Sequence, residues 1–440
     1  MKKIWLLIFI FSIFASSANA SQIDSIHIDN DTTNSKRIKK KQKDFGDWRF
    51  RMGGYGEILF QYFDYTQNRF FDEGSHPDSR AEISIPRFIL AMDFKFSPTW
   101  TLTSEIEFEY GGTGSAVEYE FNEAGEYEME VEKGGEVVLE QFHINKKFAD
   151  WLHLRIGHFI VPVGLTNAHH EPIFYFGATR PEGESNLIPC TWHETGLSLY
   201  GTIKNFDYEI MVINGLDPNF FNRENFIKKG KQSLFETYTM TNPALAGRID
   251  YNGIKHTRLG ISAYHAWKTS GNSTKADKME EIKIPVSVLS ADAQFDNKII
   301  VARANFLWGE VGDSERLSIL NLRMPSKAGI SIFPRDQVAK NAINWYAEIG
   351  VNIGQFISKK LHLYPFLKYE YYNSMHKTDG NIIADPRFKR ELLTAGINYF
   401  ALPNLVIKAD YSRRWIDHGN FNSENRVSLS IGYLGWFFKR

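Results

Sequence analysis

Two adjacent histidines and a glutamate, His169-His170-Glu171, are the residues of this chain whose types most resemble a chemical site. They follow an alternating stretch that a Pro162-Val163-Gly164 turn interrupts. Imidazole and carboxylate groups can ligate a metal, but adjacent histidines on an extended chain point to opposite sides. No zinc-type ligand spacing accompanies them. The sequence therefore predicts no metal and leaves two alternatives, a pH-sensitive functional loop or simple loop solvation.

A serine hydrolase is the enzyme hypothesis that the residue types allow. Histidines and serines are present at His143, His153, Ser198 and Ser262, but no G-x-S-x-G nucleophile motif occurs. A Ser–His pair is recognised by geometry rather than by chain order. The sequence predicts neither an enzyme nor a cofactor.

The N-terminus predicts export. Lys2 and Lys3 precede the apolar run IWLLIFIFSIFA, which leads to a small-residue cleavage site near Ala20. Residues 1–20 are predicted to be a signal peptide and residues 21–45 a flexible segment, polar and basic at 36–43. The remaining residues, 46–440, are predicted to form one domain. Cys190 is the only cysteine, so no intrachain disulfide forms, and the formal charge of -1 gives no reason to expect a nucleic-acid partner.

From Trp48 onward the hydrophobic period is two, which indicates strands. Runs of about 9 to 13 residues suit a strand that crosses a membrane at a tilt. About sixteen runs occur, an even number, with short turns alternating with long polar segments and aromatic residues near the run ends. One face of each run is apolar and the other carries charge along its length. This pattern predicts an all-β fold, a transmembrane antiparallel barrel with long extracellular loops and a water-filled interior.

The third long segment, residues 161–192, is rich in proline and aromatic residues. A barrel of about sixteen strands is too wide for side chains to fill. We therefore expect this segment to fold inward and narrow the lumen, with His169, His170, Glu171 and Arg180 at the constriction. Arg180 is its only cation and is expected to face Glu171, Glu182 and Glu184.

The stretch DWLHLRIGHFIVPVG (150–164), followed by ETGLSLYG (194–201), resembles the phosphate-selective porin O/P family. The matching positions are Gly157, Phe159, Pro162, Gly164, Gly196 and Gly201. The resemblance implies a trimeric outer-membrane channel of sixteen strands, whose third loop enters the pore. It also implies contact with outer-membrane lipid, lipopolysaccharide and the barrel-assembly machinery.

Phosphate selectivity does not follow from the resemblance, because the predicted lumen mixes both signs of charge. Its lining residues are predicted to include Arg49, Arg51, Arg87, Glu105, Glu107, Arg155, Arg303, Lys368 and Arg414. We expect passive diffusion of small hydrophilic solutes and ions, with anions such as phosphate as an open alternative. A glutamate-rich segment, residues 115–136, predicts a protruding hairpin with a turn at 122–125. That hairpin keeps a surface adhesin as a second hypothesis, ahead of an outer-membrane hydrolase.

Overall fold

The computed structural model describes residues 48–65, 78–121, 127–232, 237–272, 279–323, 336–358, 360–416 and 424–440, with the backbone alone at 78, 113–121, 127–134 and 323. Three predicted segments lie outside the described residues: the signal peptide, the basic segment 36–43 and the hairpin turn at 122–125. Among the described residues, no helix is long and apolar enough to cross a membrane.

The described residues form a closed barrel of sixteen antiparallel strands, in which each strand pairs with its neighbours in the chain. β1 (Phe50–Tyr65) closes the barrel by pairing with β16 (Glu424–Lys439). The strands between them are β2 (Asp78–Ser97), β3 (Trp100–Phe121), β4 (Tyr127–Ala149), β5 (Leu152–Ile160), β6 (His193–Ile203), β7 (Phe206–Asn214), β8 (Pro243–Tyr251), β9 (Thr257–Ala266), β10 (Val286–Asp296), β11 (Ile300–Val311), β12 (Asn341–Val351), β13 (His362–Lys377), β14 (Lys389–Leu402) and β15 (Leu405–Ile416). The predicted fold class is confirmed.

Helical segments are short and belong to the loops. They are α1 (Leu165–Ala168), α2 (Glu182–Leu187) and α3 (Ser314–Arg323), with 3-10 turns at Pro218–Phe220, Lys228–Gly230, Ile353–Phe356 and Pro386–Phe388. We call the end of the barrel that carries the long connections the long-loop end and the opposite end the short-turn end. α1 and α2 both belong to the third long connection, residues 161–192, called loop 3 below.

Alternation of side chains places apolar groups outside and polar groups inside. On β11, Phe306 is 44% exposed on the outer face while Asn305 is 3% exposed on the inner face. The predicted hairpin is present as a direct extension of β3 and β4, which pair as far as Phe121 and Tyr127. β2 begins at Asp78, because its pairing with β1 continues to the end of that strand.

The inner face is not charged along its whole length, which corrects the expectation from the sequence. Near the long-loop end, inward residues of β7 to β12 such as Met211, Val288 and Leu307 form one apolar core. Loop residues pack onto this core, among them Phe226 and Leu317. Apolar surface at these positions draws the long loops into the barrel mouth, because burial removes it from water. On β7 to β12 the charged inner positions, such as Arg248, Asp292 and Arg303, lie nearer the short-turn end, whereas Arg390, Arg414 and Glu424 lie at the long-loop end of β14 to β16.

Candidate functional site: loop 3 in the lumen

Loop 3 leaves the wall and returns to it at one place. The backbone N–H of Val161 donates to the carbonyl of Trp192 at 2.8 Å. The buried side chain of Asn167 joins the same two residues, since its Nδ2 donates to the Val161 carbonyl at 2.5 Å and its Oδ1 accepts from the Trp192 N–H at 2.6 Å. The ends of the loop are thereby fixed while its middle crosses the lumen. No residue from 161 to 192 is exposed, which agrees with the inward fold predicted for this segment.

Two glycines of the family-like motif have backbone reasons to be glycine. Gly157 has φ 135°, and a Cβ there would lie 2.3 Å from the carbonyl oxygen of Phe142 on β4. Gly164 has φ 89°, and its Cβ would lie 2.2 Å from Oε1 of Glu184. Both φ values lie in the region that glycine adopts at little cost. Between them, Phe159 and Pro162 are buried, so the motif shapes the point at which the chain leaves β5.

His169 is held as a neutral imidazole. Arg258 on β9 donates to its Nε2 at 2.8 Å, and its Nδ1 lies 3.2 Å from the Leu165 carbonyl. Nε2 must accept from the guanidinium, so the proton of the neutral ring is on Nδ1. Burial, and then the guanidinium groups of Arg258 and Arg248, hold the pKa of His169 well below its ordinary value.

His170 is held in the opposite protonation state. Its Nδ1 lies 3.0 Å from the Asn167 carbonyl, and its Nε2 lies 3.2 Å from Oε1 of Glu140 on β4. Burial by itself lowers the pKa of His170, but the carboxylates of Glu171 and Glu140 outweigh burial and raise the pKa to about 10. His170 is therefore a buried imidazolium that joins loop 3 to the wall. The guanidinium of Arg87 donates to the backbone carbonyl of His170 at 3.0 Å.

The middle of loop 3 binds the wall on the far side of the lumen. Nζ of Lys408 on β15 donates to the carbonyls of Tyr175 and Gly177 at 2.8 and 2.9 Å. The carboxylate of Asp410, two residues along, accepts from the Ala178 N–H at 2.6 Å. Phe176 stacks on Phe366 of β13 with ring centroids 5.3 Å apart. Charge-assisted bonds to backbone atoms fix the path of the loop without requiring particular loop side chains.

The start of α2 is held at a third place. The carboxylate of Glu370 on β13 accepts from the backbone N–H of Glu182 at 2.7 Å. The Glu182 carboxylate in turn accepts from Tyr372 and Arg414. Burial raises the pKa of Glu182, but Arg414, Arg426 and Arg390 outweigh it and lower the pKa below its ordinary value. The helix start is therefore an ionic contact with β13 to β16.

Arg180 does not make the contacts predicted for it. Its guanidinium donates to Sγ of Cys190 at 3.3 Å and to the hydroxyl of Thr191 at 2.9 Å, both within loop 3. It therefore braces the returning arm of the loop. Burial raises the pKa of the Cys190 thiol to about 11, so the thiol stays protonated at neutral pH.

The predicted lumen cations, apart from Arg49, each have a carboxylate partner within 4.0 Å. The pairs are Arg51–Asp93, Arg87–Glu57, Arg155–Glu209, Arg303–Glu348, Lys368–Glu370 and Arg414–Glu424. Of the two predicted acidic positions, Glu105 accepts from Gln141 at 2.6 Å and Glu107 lies 4.0 Å from Arg87. Arg49 differs, since it is exposed and lies over the outward-facing ring of Phe94. It is at the barrel edge, outside the lumen.

Glu140 and Asn167 are central residues that the sequence analysis missed. Glu140 sits in a bulge of β4, where the register with β3 passes from Gln141 to Leu139. A single extra residue in a strand breaks the alternation of side chains between the two faces. The consecutive residues Glu140 and Gln141 are therefore both buried on the inner face, which a strictly alternating pattern does not predict. The register slip after Leu139 is visible only in the pairing, so no sequence pattern marked Glu140.

The hydrolase candidates have other partners. Ser198 donates to Glu209 at 2.5 Å, and the Ser262 hydroxyl accepts from the Gly164 N–H at 3.1 Å. His153 stacks on Tyr200. Within the part of the chain that the structure describes, no group of three histidine, cysteine, aspartate or glutamate side chains is placed to hold a metal ion.

Comparison with known proteins supports the fold. No family model matches the chain. An uncharacterized protein of Aquifex aeolicus (strain VF5) is 26% identical over 390 residues, which cover 88% of this chain and 79% of that protein.

Solved structures of similar shape include outer-membrane channels. OmpF of Salmonella typhi, in complex with daunomycin, has a TM-score of 0.54 at 11% identity, covering 89% of this chain and 99% of that one. The anion-selective porin from Comamonas acidovorans has a TM-score of 0.51 at 10% identity, covering 88% and 99%. The channel DcaP of Acinetobacter baumannii has a TM-score of 0.51 at 12% identity, covering 88% and 97%. At these identities the likeness shows a shared porin fold.

Proposed function

We propose that this chain is an outer-membrane porin through which small hydrophilic solutes and ions diffuse passively. The observation that carries the proposal is loop 3, which crosses the lumen of a closed barrel and is bound to the wall by charged groups on several strands. In the proposed channel this loop divides the interior into two vestibules, and solutes pass between them beside the loop. Above and below it, inward side chains such as Glu136 and Asn145 remain partly accessible.

The proposed channel has weak charge selectivity. A strongly anion-selective pore needs cations free to replace part of an anion's hydration. The wall cations are instead paired with wall carboxylates, so a permeating phosphate would compete with a fixed counter-ion at each pair. Selectivity for phosphate, which the family resemblance leaves open, is the less favoured form of this proposal.

The proposal also covers the N-terminal segments, the membrane location and the partners of the protein. Residues 1–20 are the proposed signal peptide, residues 21–45 a periplasmic segment, and residues 46–440 the barrel domain in the outer membrane. The proposed partners are lipopolysaccharide, the barrel-assembly machinery and two further copies of this chain in a homotrimer. They rest on the porin fold and on the resemblance at Gly157, Phe159, Pro162 and Gly164.

The test is single-channel recording on the purified mature protein in a planar bilayer, with a salt gradient and with added phosphate. We expect small stepwise conductance, a reversal potential near zero and no block by phosphate. Lys408→Met removes two bonds that hold the middle of loop 3 and should raise conductance or its noise. Arg49→Met is the matched control, because it removes a cation outside the lumen.

Three results would contradict the proposal. Absence of conductance from folded protein would favour the adhesin hypothesis based on the β3–β4 hairpin. Strong anion preference with phosphate block would show that lumen cations act despite their pairing. Equal conductance and equal current noise in Lys408→Met and Arg49→Met would show that loop 3 does not narrow the channel.

A further inference from the structure

A shallow groove interrupts the outer face of the barrel on β10 to β13. Its floor is made by alanines that lie side by side across three strands, since Ala293 pairs with Ala304 and Ala304 pairs with Ala347. Ala302 extends the floor toward the short-turn end. The groove has a volume of about 390 Å³. Small side chains here replace the large ones that cover most of this surface.

Large apolar side chains surround this floor. Phe295, Ile349, Leu367 and Tyr369 line the groove. Trp345 and Phe306 form the next outward-facing pair, two register positions further toward the long-loop end, beside the alanine row. The phenol of Tyr369 donates to Glu391 at 2.7 Å, so its position is fixed. The result is a fixed hydrocarbon-lined depression on an otherwise bulky surface.

Exposed basic side chains lie at the turns that end these strands. Lys255 and His256 precede β9, Lys298 lies in the turn between β10 and β11, and Lys360 lies in the turn between β12 and β13. His256 contacts Phe295, a groove residue, with ring centroids 6.4 Å apart. By contrast, the turn between β2 and β3, residues 97–99, and the turn residues Pro403 and Asn404 carry no charge.

The same edge holds exposed apolar side chains. Phe356 and Ile357, in the turn between β12 and β13, are 75% and 73% exposed. Apolar side chains beside lysines are typical of segments that lie at the boundary between headgroups and acyl chains. This boundary therefore passes the barrel just below the groove, at the level of the lysines.

We propose that this groove binds one anionic glycerophospholipid from the leaflet on the short-turn side. An acyl chain lies on the alanine floor, and the phosphate is attracted by the lysines at the turns below, chiefly Lys298. Lysines near a membrane surface attract anionic lipids, and the alanines let the chain approach the backbone. The inference rests on the membrane location given in the proposed function, but not on conductance.

The experiment is native mass spectrometry of the full mature chain in zwitterionic detergent, titrated with dioleoyl phosphatidylglycerol or dioleoyl phosphatidylcholine. Ala304→Trp fills the groove, and we expect it to lower the affinity for the first bound lipid of either kind by about tenfold. Lys298→Gln should lower the affinity for phosphatidylglycerol by about fivefold and leave the affinity for phosphatidylcholine unchanged. Ala409→Trp, which adds the same side chain on the outer face of β15, should bind like the wild type.

The outcomes distinguish a bound lipid from a second copy of this chain as the occupant of the groove. Equal lipid binding by Ala304→Trp and Ala409→Trp would overturn the proposal. A change in the number of subunits with Ala304→Trp, at unchanged lipid binding, would also overturn it and would make the groove a contact between copies of this chain. Conductance recorded on the same preparations tests the channel independently, so a failure of either proposal is recognisable.

Discussion

The ion pair between His170 and Glu140 predicts a loss of stability at alkaline pH. An unfolded histidine loses its proton near pH 6.5, whereas folded His170 has a pKa of about 10. The imidazolium therefore contributes its full stability below pH 6.5. That contribution declines as the pH rises and is lost as it passes through 10. His170→Gln removes the titrating group and leaves Glu140 with the hydroxyl of Tyr55 as a partner at 3.4 Å.

The size of the effect follows from the pKa shift. Each pKa unit corresponds to about 1.4 kcal/mol, so the pair contributes about 3 to 5 kcal/mol when fully formed. Wild type should lose about that much unfolding free energy between pH 6.5 and 10, beyond what His170→Gln loses. Both side chains are almost fully buried, at 1% and 0% exposed, so solvent screens the interaction little.

The assay is urea unfolding of the refolded protein in lipid vesicles, followed by tryptophan emission at several pH values. His169→Gln is the matched control, because folded and unfolded His169 are both neutral above pH 6.5 and its removal should not change the pH slope there. If wild type and His170→Gln lose stability in parallel from pH 6.5 to 10, then His170 is not a buried cation. The assignment of the two histidines to opposite protonation states would then be wrong.

Three further predictions test the loop and the motif. Asn167→Leu leaves the backbone N–H of Trp192 without its side-chain acceptor and removes one of the two donors to the Val161 carbonyl, which keeps the Val163 N–H. It should lower the unfolding free energy by about 1 to 3 kcal/mol in the same urea assay; no change would refute the joining role of Asn167. Gly157→Val forces a Cβ against the Phe142 carbonyl, so the fraction of folded, heat-modifiable barrel on gels should fall sharply, and a normal folded fraction would contradict that reasoning. Glu348→Gln removes the partner of a lumen arginine and should shift the reversal potential toward anions by up to about fivefold in permeability ratio; an unchanged potential would show that ions do not pass this position.

Much of the fold was predictable because a membrane barrel is repetitive. Every strand must show a lipid-facing apolar row, and short turns must alternate with long loops, so both signals recur along the chain. The apolar residues in the loops were visible as well, although their packing inside the barrel mouth was not predicted. Prolines and aromatics in residues 161–192 correctly indicated an inward loop, since such a segment is too apolar to remain in solvent.

The sequence by itself determined the strands, their even number, the inward third loop and the residue types available to the lumen. Only the tertiary structure decided which charges meet, because partners such as His170 and Glu140, or Lys408 and the carbonyls of loop 3, are far apart in the chain. It also decided that Arg49 lies outside the lumen and that Arg180 braces its own loop. Side-chain period fixes the face that a residue occupies, but a bulge or a loop path depends on the closure of the whole barrel, which no local pattern records.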